Sequence, residues 1–177
     1  MEFIDAALNK LYFITCVDVA TRIGFALVTK NHSSKAAKAL LEKMEEVLQT
    51  KIKAVLTDNG SEFLAYFHKA CKDQEIEHFF TRPRTPKDNA IAERFNLTLQ
   101  QHLYWRVDLT SPLYKINEVL ADWLVEYNCL RPHESLNMRP PAAHYFTLFY
   151  APRQSREVYL KLWNRTPACT ISNKWYN

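Results

Sequence analysis

Three acidic residues stand where they could bind a divalent cation. Asp5 ends an apolar run near the N-terminus, Asp58 lies in the segment "LTDNGSEF", and Glu93 lies in the segment "NAIAERFN". Magnesium prefers hard oxygen ligands, so a few carboxylates on rigid elements suit it. In phosphodiester cleavage, two such ions about 4 Å apart stabilise the attacking and leaving oxygens. Each acid alone also has an ordinary explanation, as a strand end, a turn residue or an acid near a helix N-terminus.

The elements that carry these acids follow from the hydrophobic pattern. Three β-like runs at 2–5, 11–17 and 23–29 are separated by short polar turns and should pair antiparallel. An amphipathic helix capped by Ser33 or Ser34 comes next, followed by a strand at 52–56, a helix at 61–74 and a strand at 78–80. This order predicts a mixed sheet with helices on both faces.

A cationic loop separates the last strand from the Glu93 helix. The segment "TRPRTPKDN" at 81–89 contains two prolines, so it forms neither a helix interior nor a central strand. Its cations could contact phosphates, with a plain solvated loop as the alternative. Helices are predicted at 90–104 and 111–129, and the pattern weakens beyond Pro140. The candidate DNA-contacting residues on the loop and the helix are Arg82, Arg84, Lys87, Arg94, Gln100 and Gln101.

Two of these segments resemble motifs of a known family. "TDNGSEF" and "NAIAERFN" look like the second and third acidic motifs of retroviral integrases and of the insertion-sequence transposases that share their core. Glu93 follows Asp58 by 35 positions, close to the usual interval of the family. The segment "YNCLRPHESLNMRPPAAHY" is similar to a pattern near the C-terminal end of the core in many insertion-sequence transposases. The resemblance covers residues 1–146 as a catalytic core and leaves 147–177 as an extension of unknown role.

The resemblance implies a fold, a reaction and partners. The fold would be ribonuclease H-like, an α/β fold with a mixed five-stranded sheet whose first three strands are antiparallel, flanked by helices. Asp5, Asp58 and Glu93 would bind two Mg²⁺ ions, with Mn²⁺ as a substitute, to cleave and join DNA strands. The partners would be mobile-element ends and target DNA. Integrase-like cores generally act as dimers or larger assemblies, so a homodimer or higher oligomer is expected.

The first acid has two candidates, Asp5 and Asp18. Asp5 is favoured because "VDVATR", which contains Asp18, looks like the end of the family's second strand, where an aspartate or histidine commonly binds no metal. Against Asp5, the residues after it are "AAL", whereas the family often has a polar residue there. Two further residues near the C-terminal motif stay open. His133 is more often a structural hydrogen-bonder than a catalyst, and Arg131 either pairs with a carboxylate near the site or caps the preceding helix.

Two other functions remain as alternatives. A ribonuclease H-like nuclease would hydrolyse strands without joining them, since the fold and the metal site are shared and only the substrate differs. A degenerate core would bind DNA or a partner without any chemistry.

Composition narrows the function classes further. Two glycines leave no room for a glycine-rich phosphate loop, and the net charge of +4 permits a polyanionic partner. The four cysteines lie 55, 58 and 40 residues apart, so they indicate reduced, mostly buried thiols rather than a zinc site. The chain lacks both a signal-peptide pattern and an apolar run of about 20 residues. An intracellular protein is therefore expected, and the resemblance to insertion-sequence transposases of bacterial type implies a cytoplasmic protein that is nucleoid-associated when active. The start on a strand suggests that a longer natural protein was trimmed upstream.

Overall fold

Five strands and five α-helices make up the described part of the chain. The structure is a computed structural model that describes residues 2–4, 10–64, 66–82, 85, 89–103, 105–108 and 110–149. Within these ranges, no helix combines the length and the apolar character needed to cross a bilayer. The elements in chain order are β1 (Glu2–Ile4), β2 (Lys10–Val17), β3 (Gly24–Thr29), α1 (Ser34–Leu48), β4 (Ala54–Thr57), α2 (Tyr66–Asp73), β5 (Glu77–Phe80), α3 (Ala90–Leu103), α4 (Leu113–Val125) and α5 (Pro141–Phe149).

The strands form two small sheets. β2 pairs antiparallel with β1 on one side and with β3 on the other, which confirms the predicted antiparallel meander. β4 and β5 pair with each other in parallel. The prediction of a single five-stranded sheet is wrong for the described residues, in which no strand pairing joins the two sheets. Among these residues β4 and β5 form a ladder only with each other, and the period of a strand does not determine which strands pair.

The side chains of β2 alternate between two helical layers. Leu11 and Phe13 pack in one apolar cluster with α3 and α4. Ile14, which points to the opposite face, packs in a second cluster with α1 and α2. Successive strand residues face opposite sides of a sheet, so this division follows directly from the period of two. The prediction of helices on both faces is confirmed.

The first helix follows the predicted amphipathic pattern. Ser33 is its N-cap, and the Ser33 side chain accepts a hydrogen bond from the backbone N–H of Ala36. The same helix buries Ala37, Leu40, Leu41 and Met44. A capping serine satisfies one of the free N–H groups at a helix start, which fixes where α1 begins.

Three other predicted elements differ in their bounds. The helix predicted at 61–74 is split into a short 3₁₀ turn, Ser61–Phe63, and α2. The strand predicted at 52–56 is β4 and begins at Ala54. The helix predicted at 111–129 is α4 followed by a π-helical turn, Glu126–Leu130. Such shifts are expected where a helix end tightens or widens into another hydrogen-bond pattern.

The last described helix, α5, was not predicted. Its nine residues are fewer than the window in which helical periodicity can be recognised. Tyr145 and Phe146 of α5 pack in an apolar cluster with Ile23. The Tyr145 hydroxyl donates to the backbone carbonyl of Leu48 at 2.6 Å, which joins α5 to the end of α1.

Two buried asparagines cover the free edge of β3. The side-chain amide of Asn128 accepts from the backbone N–H of Gly24 at 2.8 Å and donates to the Gly24 carbonyl at 2.9 Å. Asn117 makes the same pair of contacts with Val28, at 3.0 and 3.2 Å. An edge strand otherwise presents unpaired backbone groups. The asparagines therefore replace a fourth strand on this sheet.

The ring of Phe95 in α3 packs directly against Gly24. A Cβ atom at position 24 would lie 2.2 Å from Phe95 Cε2, far inside van der Waals contact. We expect Gly24→Ala to destabilise the protein by about 1 to 3 kcal/mol, as overpacking of a core does. Urea unfolding measures the change. Ala54→Val, which adds carbon atoms at an exposed strand position, is the control, and an equal loss of stability in both variants would contradict the steric explanation.

Three of the four cysteines lie in the described residues, and all three are free thiols, as predicted. Cys71 is buried, whereas Cys16 and Cys129 are half-buried, so the predicted burial is complete at one position only. The Cys16 thiol contacts Met44 Sδ at 3.4 Å. Burial, with a smaller contribution from the charge of Asp18, raises the pKa of Cys16 to about 11. Cys16 is therefore a packed, protonated thiol at neutral pH, and Cys169 lies outside the described residues.

Candidate active site

Asp58 lies in a tight turn directly after β4. The backbone N–H of Gly60 donates to Asp58 Oδ1 at 3.0 Å, and the Asp58 side chain is exposed. The following 3₁₀ turn begins with a hydrogen bond from the Phe63 N–H to the Gly60 carbonyl. Aspartate followed by glycine favours this turn because a short carboxylate can bond to the backbone two residues on. The turn thus holds one carboxylate oxygen and leaves the other open to a cation.

The cationic loop begins beside this turn. The Thr81 N–H donates to the Thr57 carbonyl at 2.8 Å, and the Asn59 side-chain amide donates to the Thr81 carbonyl at 3.4 Å. The ends of the parallel strands β4 and β5 therefore lie side by side. Arg82, the next residue, is exposed, whereas Arg84 and Lys87 lie outside the described residues.

Glu93 lies in the first turn of α3, where the same loop ends. Its backbone N–H donates to the Asn89 carbonyl at 2.9 Å, and its side chain is exposed. The apolar stripe of α3 is buried while the Glu93 carboxylate faces solvent. The buried residues are Phe95, Thr98, Leu99 and Leu103, and the exposed candidates for DNA contact are Arg94, Gln100 and Gln101.

One side-chain hydrogen bond holds the Glu93 face of α3 on the sheet. The Thr15 hydroxyl donates to Asn96 Oδ1 at 2.6 Å, and Asn96 lies one helical turn after Glu93. Thr15 lies in the half of β2 that is remote from Lys10, the residue that pairs with Ile4 of β1. Together with the apolar cluster that α3 shares with Leu11 and Phe13, this contact places α3 along β2.

The two candidates for the first acid differ in what is described. Asp5 follows β1 directly and lies outside the described residues. Asp18 lies in the turn between β2 and β3, where its Oδ2 accepts hydrogen bonds from the backbone N–H and the hydroxyl of Thr21. The Asp18 N–H also donates to the Ile23 carbonyl at 2.9 Å. Asp18 thus has a structural task in closing this turn.

Asp58 and Glu93 fit the donor chemistry of magnesium. Both offer exposed carboxylate oxygens, the hard ligands that Mg²⁺ takes together with water. Within the ranges that the structure describes, no three His, Cys, Asp or Glu side chains form a group that could hold a metal ion. Asp58 and Glu93 are two carboxylates, and Mg²⁺ can fill its remaining positions with water or substrate oxygens.

A histidine pair behind Asp58 was not predicted. His78 Nε2 and the Thr57 hydroxyl are 2.8 Å apart, and Nδ1 of His78 lies 3.0 Å from Nδ1 of His68. Burial, and secondarily the charge of His68, lowers the pKa of His78. The lowered pKa favours the neutral ring, which contacts Thr57, the residue directly before Asp58. Nothing in the sequence marked this contact, because the two histidines belong to different elements.

His133 and Arg131 of the C-terminal motif make structural contacts. The His133 backbone N–H donates to the Arg139 carbonyl at 3.2 Å, and its ring packs edge-on against Tyr127. Burial, and secondarily the charge of Arg131, lowers the pKa of His133. The Arg131 guanidinium contacts His102 Nε2 of α3 at 3.0 Å. Both side chains therefore join the end of the π-helical turn to neighbouring elements.

Sequence comparison relates the chain to one family. Two family models, both described as "Integrase core domain", match residues 3–86 and 74–141. The chain is 34% identical over 162 residues to the insertion element IS476 uncharacterized 39.2 kDa protein of Xanthomonas euvesicatoria, which covers 89% of this chain and 46% of that protein. It is 26% identical over 150 residues to the putative integrase ORF3 of Spiroplasma virus SpV1-C74, covering 75% of this chain and 41% of that protein. The chain thus spans less than half of the length of these relatives.

Solved structures share the fold. A chain in the cryo-EM structure of the simian T-cell lymphotropic virus intasome in complex with PP2A regulatory subunit B56 gamma superposes with a TM-score of 0.70 at 22% identity, covering 86% of this chain and 52% of that chain. The HTLV-2 integrase catalytic core domain in complex with magnesium, in its dimeric form, gives a TM-score of 0.63 at 18% identity, covering 82% and 90%. At these identities the likeness shows the fold alone.

Proposed function

The chain belongs to the integrase core domain family, and we propose that it is the catalytic core of a DNA transposase or integrase that cuts and joins DNA strands. The observation that carries the proposal is the placement of two exposed carboxylates, Asp58 and Glu93, at the two ends of one cationic loop. A scissile phosphate that approached this loop would meet both acids and at least one arginine. Residues 1–146 would form the core and 147–177 an extension.

Asp5, Asp58 and Glu93 would hold two Mg²⁺ ions, for which Mn²⁺ could substitute. Bound metal ions would supply activation of the attacking oxygen and stabilisation of the leaving oxygen. The chain's own contribution is to hold the carboxylates in place. The turn after β4 orients Asp58 through the Gly60 N–H, and the buried stripe of α3 anchors the helix that carries Glu93. The structure of the HTLV-2 core in complex with magnesium supports the use of a divalent metal.

The cationic loop and the exposed face of α3 would bind the DNA backbone. Arg82 and Arg94 are exposed beside Asp58 and Glu93, and Arg84, Lys87, Gln100 and Gln101 complete the proposed surface. These residues belong to no groove-reading motif, so we expect them to bind phosphates with little sequence preference.

Replacing Arg94 with Gln should weaken binding to every DNA sequence tested by a similar factor. Loss of one phosphate contact reduces the slope of log affinity against log salt by about 1. Fluorescence anisotropy with a labelled duplex at several salt concentrations measures both effects. Lys115→Gln, an exposed cation on α4, is the matched control. A slope that changes equally in both variants would argue against a specific contact at Arg94.

Assembly and location follow from the same proposal. The structural neighbours include a dimeric form and a trimeric form of an integrase core and an intasome. We therefore expect this core to act as a homodimer or a larger assembly on element ends and target DNA. A core of a bacterial-type insertion element would work in the cytoplasm, at the nucleoid.

Strand joining distinguishes the proposed function from its alternatives. Wild-type protein would be incubated with labelled donor DNA ends, a target plasmid and Mg²⁺ or Mn²⁺. Donor label covalently attached to the plasmid supports a transposase or integrase. Cleaved donor without attachment indicates a nuclease that hydrolyses only, and DNA binding with neither product indicates a degenerate core.

A further inference from the structure

A buried carboxylate lies next to the Asp58 turn. Glu62, in the 3₁₀ turn after Gly60, is only 9% exposed. Its Oε2 is buried and has no hydrogen-bond partner among the described residues. Burying a carboxylate carries a large desolvation penalty unless it is paired. The burial of Glu62 therefore needs a compensating contact, and the other carboxylate oxygen, Oε1, makes one.

His32 is the ion-pair partner of Glu62. The distance from His32 Nε2 to Glu62 Oε1 is 2.6 Å. The His32 ring stacks on the ring of Tyr12 with centroids 5.0 Å apart and an interplanar angle of 21°. Tyr12 belongs to β2, and Glu62 follows β4. The chain of contacts from Tyr12 through His32 to Glu62 thus joins the two sheets, which share no strand pairing within the described residues.

The Glu62 carboxylate also packs against Gly60. A Cβ atom at position 60 would lie 2.5 Å from Glu62 Oε2 and 2.8 Å from Oε1, so a larger residue there would displace the carboxylate. Gly60 in turn donates its N–H to Asp58 Oδ1. The position of Glu62 therefore limits where the Gly60 N–H, and with it the Asp58 carboxylate, can lie.

We propose that His32 and Glu62 are positioning residues that hold the Asp58 turn at a fixed place relative to the β1–β2–β3 sheet. This inference rests on the proposed function, because only a catalytic Asp58 needs such a fixed place. Neither residue touches the reacting atoms. Groups that orient a metal ligand from behind typically change metal affinity by about 10- to 100-fold when they are removed.

Glycine labelling tests the positioning role without any activity assay. The chain has two glycines, so a protein labelled selectively with ¹⁵N-glycine gives two backbone amide signals. The Gly60 signal reports the hydrogen bond to Asp58, and the Gly24 signal, held by Asn128, is an internal control. We expect His32→Leu and Glu62→Gln to shift the Gly60 signal and speed its hydrogen exchange while Gly24 stays unchanged. His32→Gln keeps a donor toward Glu62 and should restore much of the wild-type signal.

The second readout is the Mn²⁺ concentration that gives half-maximal DNA nicking. We expect it to rise about tenfold in His32→Leu and much less in His32→Gln. Glu46→Gln, which removes an exposed ion pair with Lys43, is the matched control and should change neither readout. Circular dichroism and thermal unfolding show whether each variant is folded.

The two readouts separate the possible failures. A Gly60 signal that is the same in His32→Leu as in wild type would overturn the positioning role, whatever the nicking assay shows. If His32→Leu alters Gly60 exchange but the wild-type protein nicks no DNA, the contact with the Asp58 turn is supported and the proposed function is rejected. Equal changes at Gly24 and Gly60 would indicate a general loss of structure, and this outcome also rejects the specific role.

Discussion

Asp58→Asn should abolish metal-dependent DNA nicking while the protein stays folded. The amide is neutral and a much weaker ligand for Mg²⁺ than the carboxylate. Losing a metal's stabilisation of the developing charge, about 4 kcal/mol, corresponds to a rate decrease of about a thousandfold. The Asp58 side chain is exposed, and its one described hydrogen bond is accepted by an oxygen that asparagine retains. Nicking of a labelled duplex with Mg²⁺ or Mn²⁺ measures the rate.

Three further variants complete this experiment. Glu93→Gln should reduce nicking as strongly as Asp58→Asn does, and Glu118→Gln, an exposed acid on α4, should have no effect. Comparing Asp5→Asn with Asp18→Asn decides the first acid. We expect Asp5→Asn to abolish nicking, whereas Asp18→Asn should affect mainly the turn that it closes with Thr21. Full activity in Asp5→Asn would mean that the first ligand is another residue.

Asn128→Ala should lower the free energy of unfolding by about 3 kcal/mol. The substitution removes two hydrogen bonds and leaves the backbone N–H and C=O of Gly24 without partners in a buried place, at about 1 to 3 kcal/mol for each unsatisfied group. Urea unfolding followed by tryptophan fluorescence is a suitable measurement, because Trp123 is buried in the adjacent cluster.

Two further variants test whether the lost hydrogen bonds to the β3 backbone cause the destabilisation. Asn31→Ala, at an exposed asparagine, should leave the stability nearly unchanged. Asn117→Ala should destabilise the protein to a similar extent as Asn128→Ala, because it leaves the backbone N–H and C=O of Val28 without their partners. A change below about 1 kcal/mol in Asn128→Ala would show that water or a rearranged side chain replaces the lost contacts.

Local pattern was enough to predict much of the architecture. The three β-rich runs near the N-terminus form the expected meander, and the capping serine and apolar stripe of α1 lie as predicted. The buried face of α3 also follows from its spacing, so the exposure of Glu93 was predictable. These features depend on neighbours within one element or one turn, where periodicity carries the information.

Contacts between distant residues were not predictable in this way. The pairing of Asn128 with Gly24 spans 104 positions, and a lone asparagine in a helical pattern carries no sign of its partner. The division into two sheets depends on which strands lie side by side at the usual spacing of about 4.8 Å, and periodicity does not encode that choice. The ion pair between His32 and Glu62 joins two turns whose sequences give no hint of each other.

The edge of β3 is covered by asparagines that are synthesised long after the strand itself. Both described acids, Asp58 and Glu93, leave the ribosome well before Asn128 does. At 5 to 20 residues per second, translation of the 104 positions between Gly24 and Asn128 takes about 5 to 20 s. During that interval the edge of β3 is open to any extended segment nearby, including one from another nascent chain. Until Asn128 is synthesised, the backbone of Gly24, against which Phe95 of α3 packs, lacks its side-chain partner. A nascent chain therefore contains Asp58 and Glu93 before this edge of the sheet is covered.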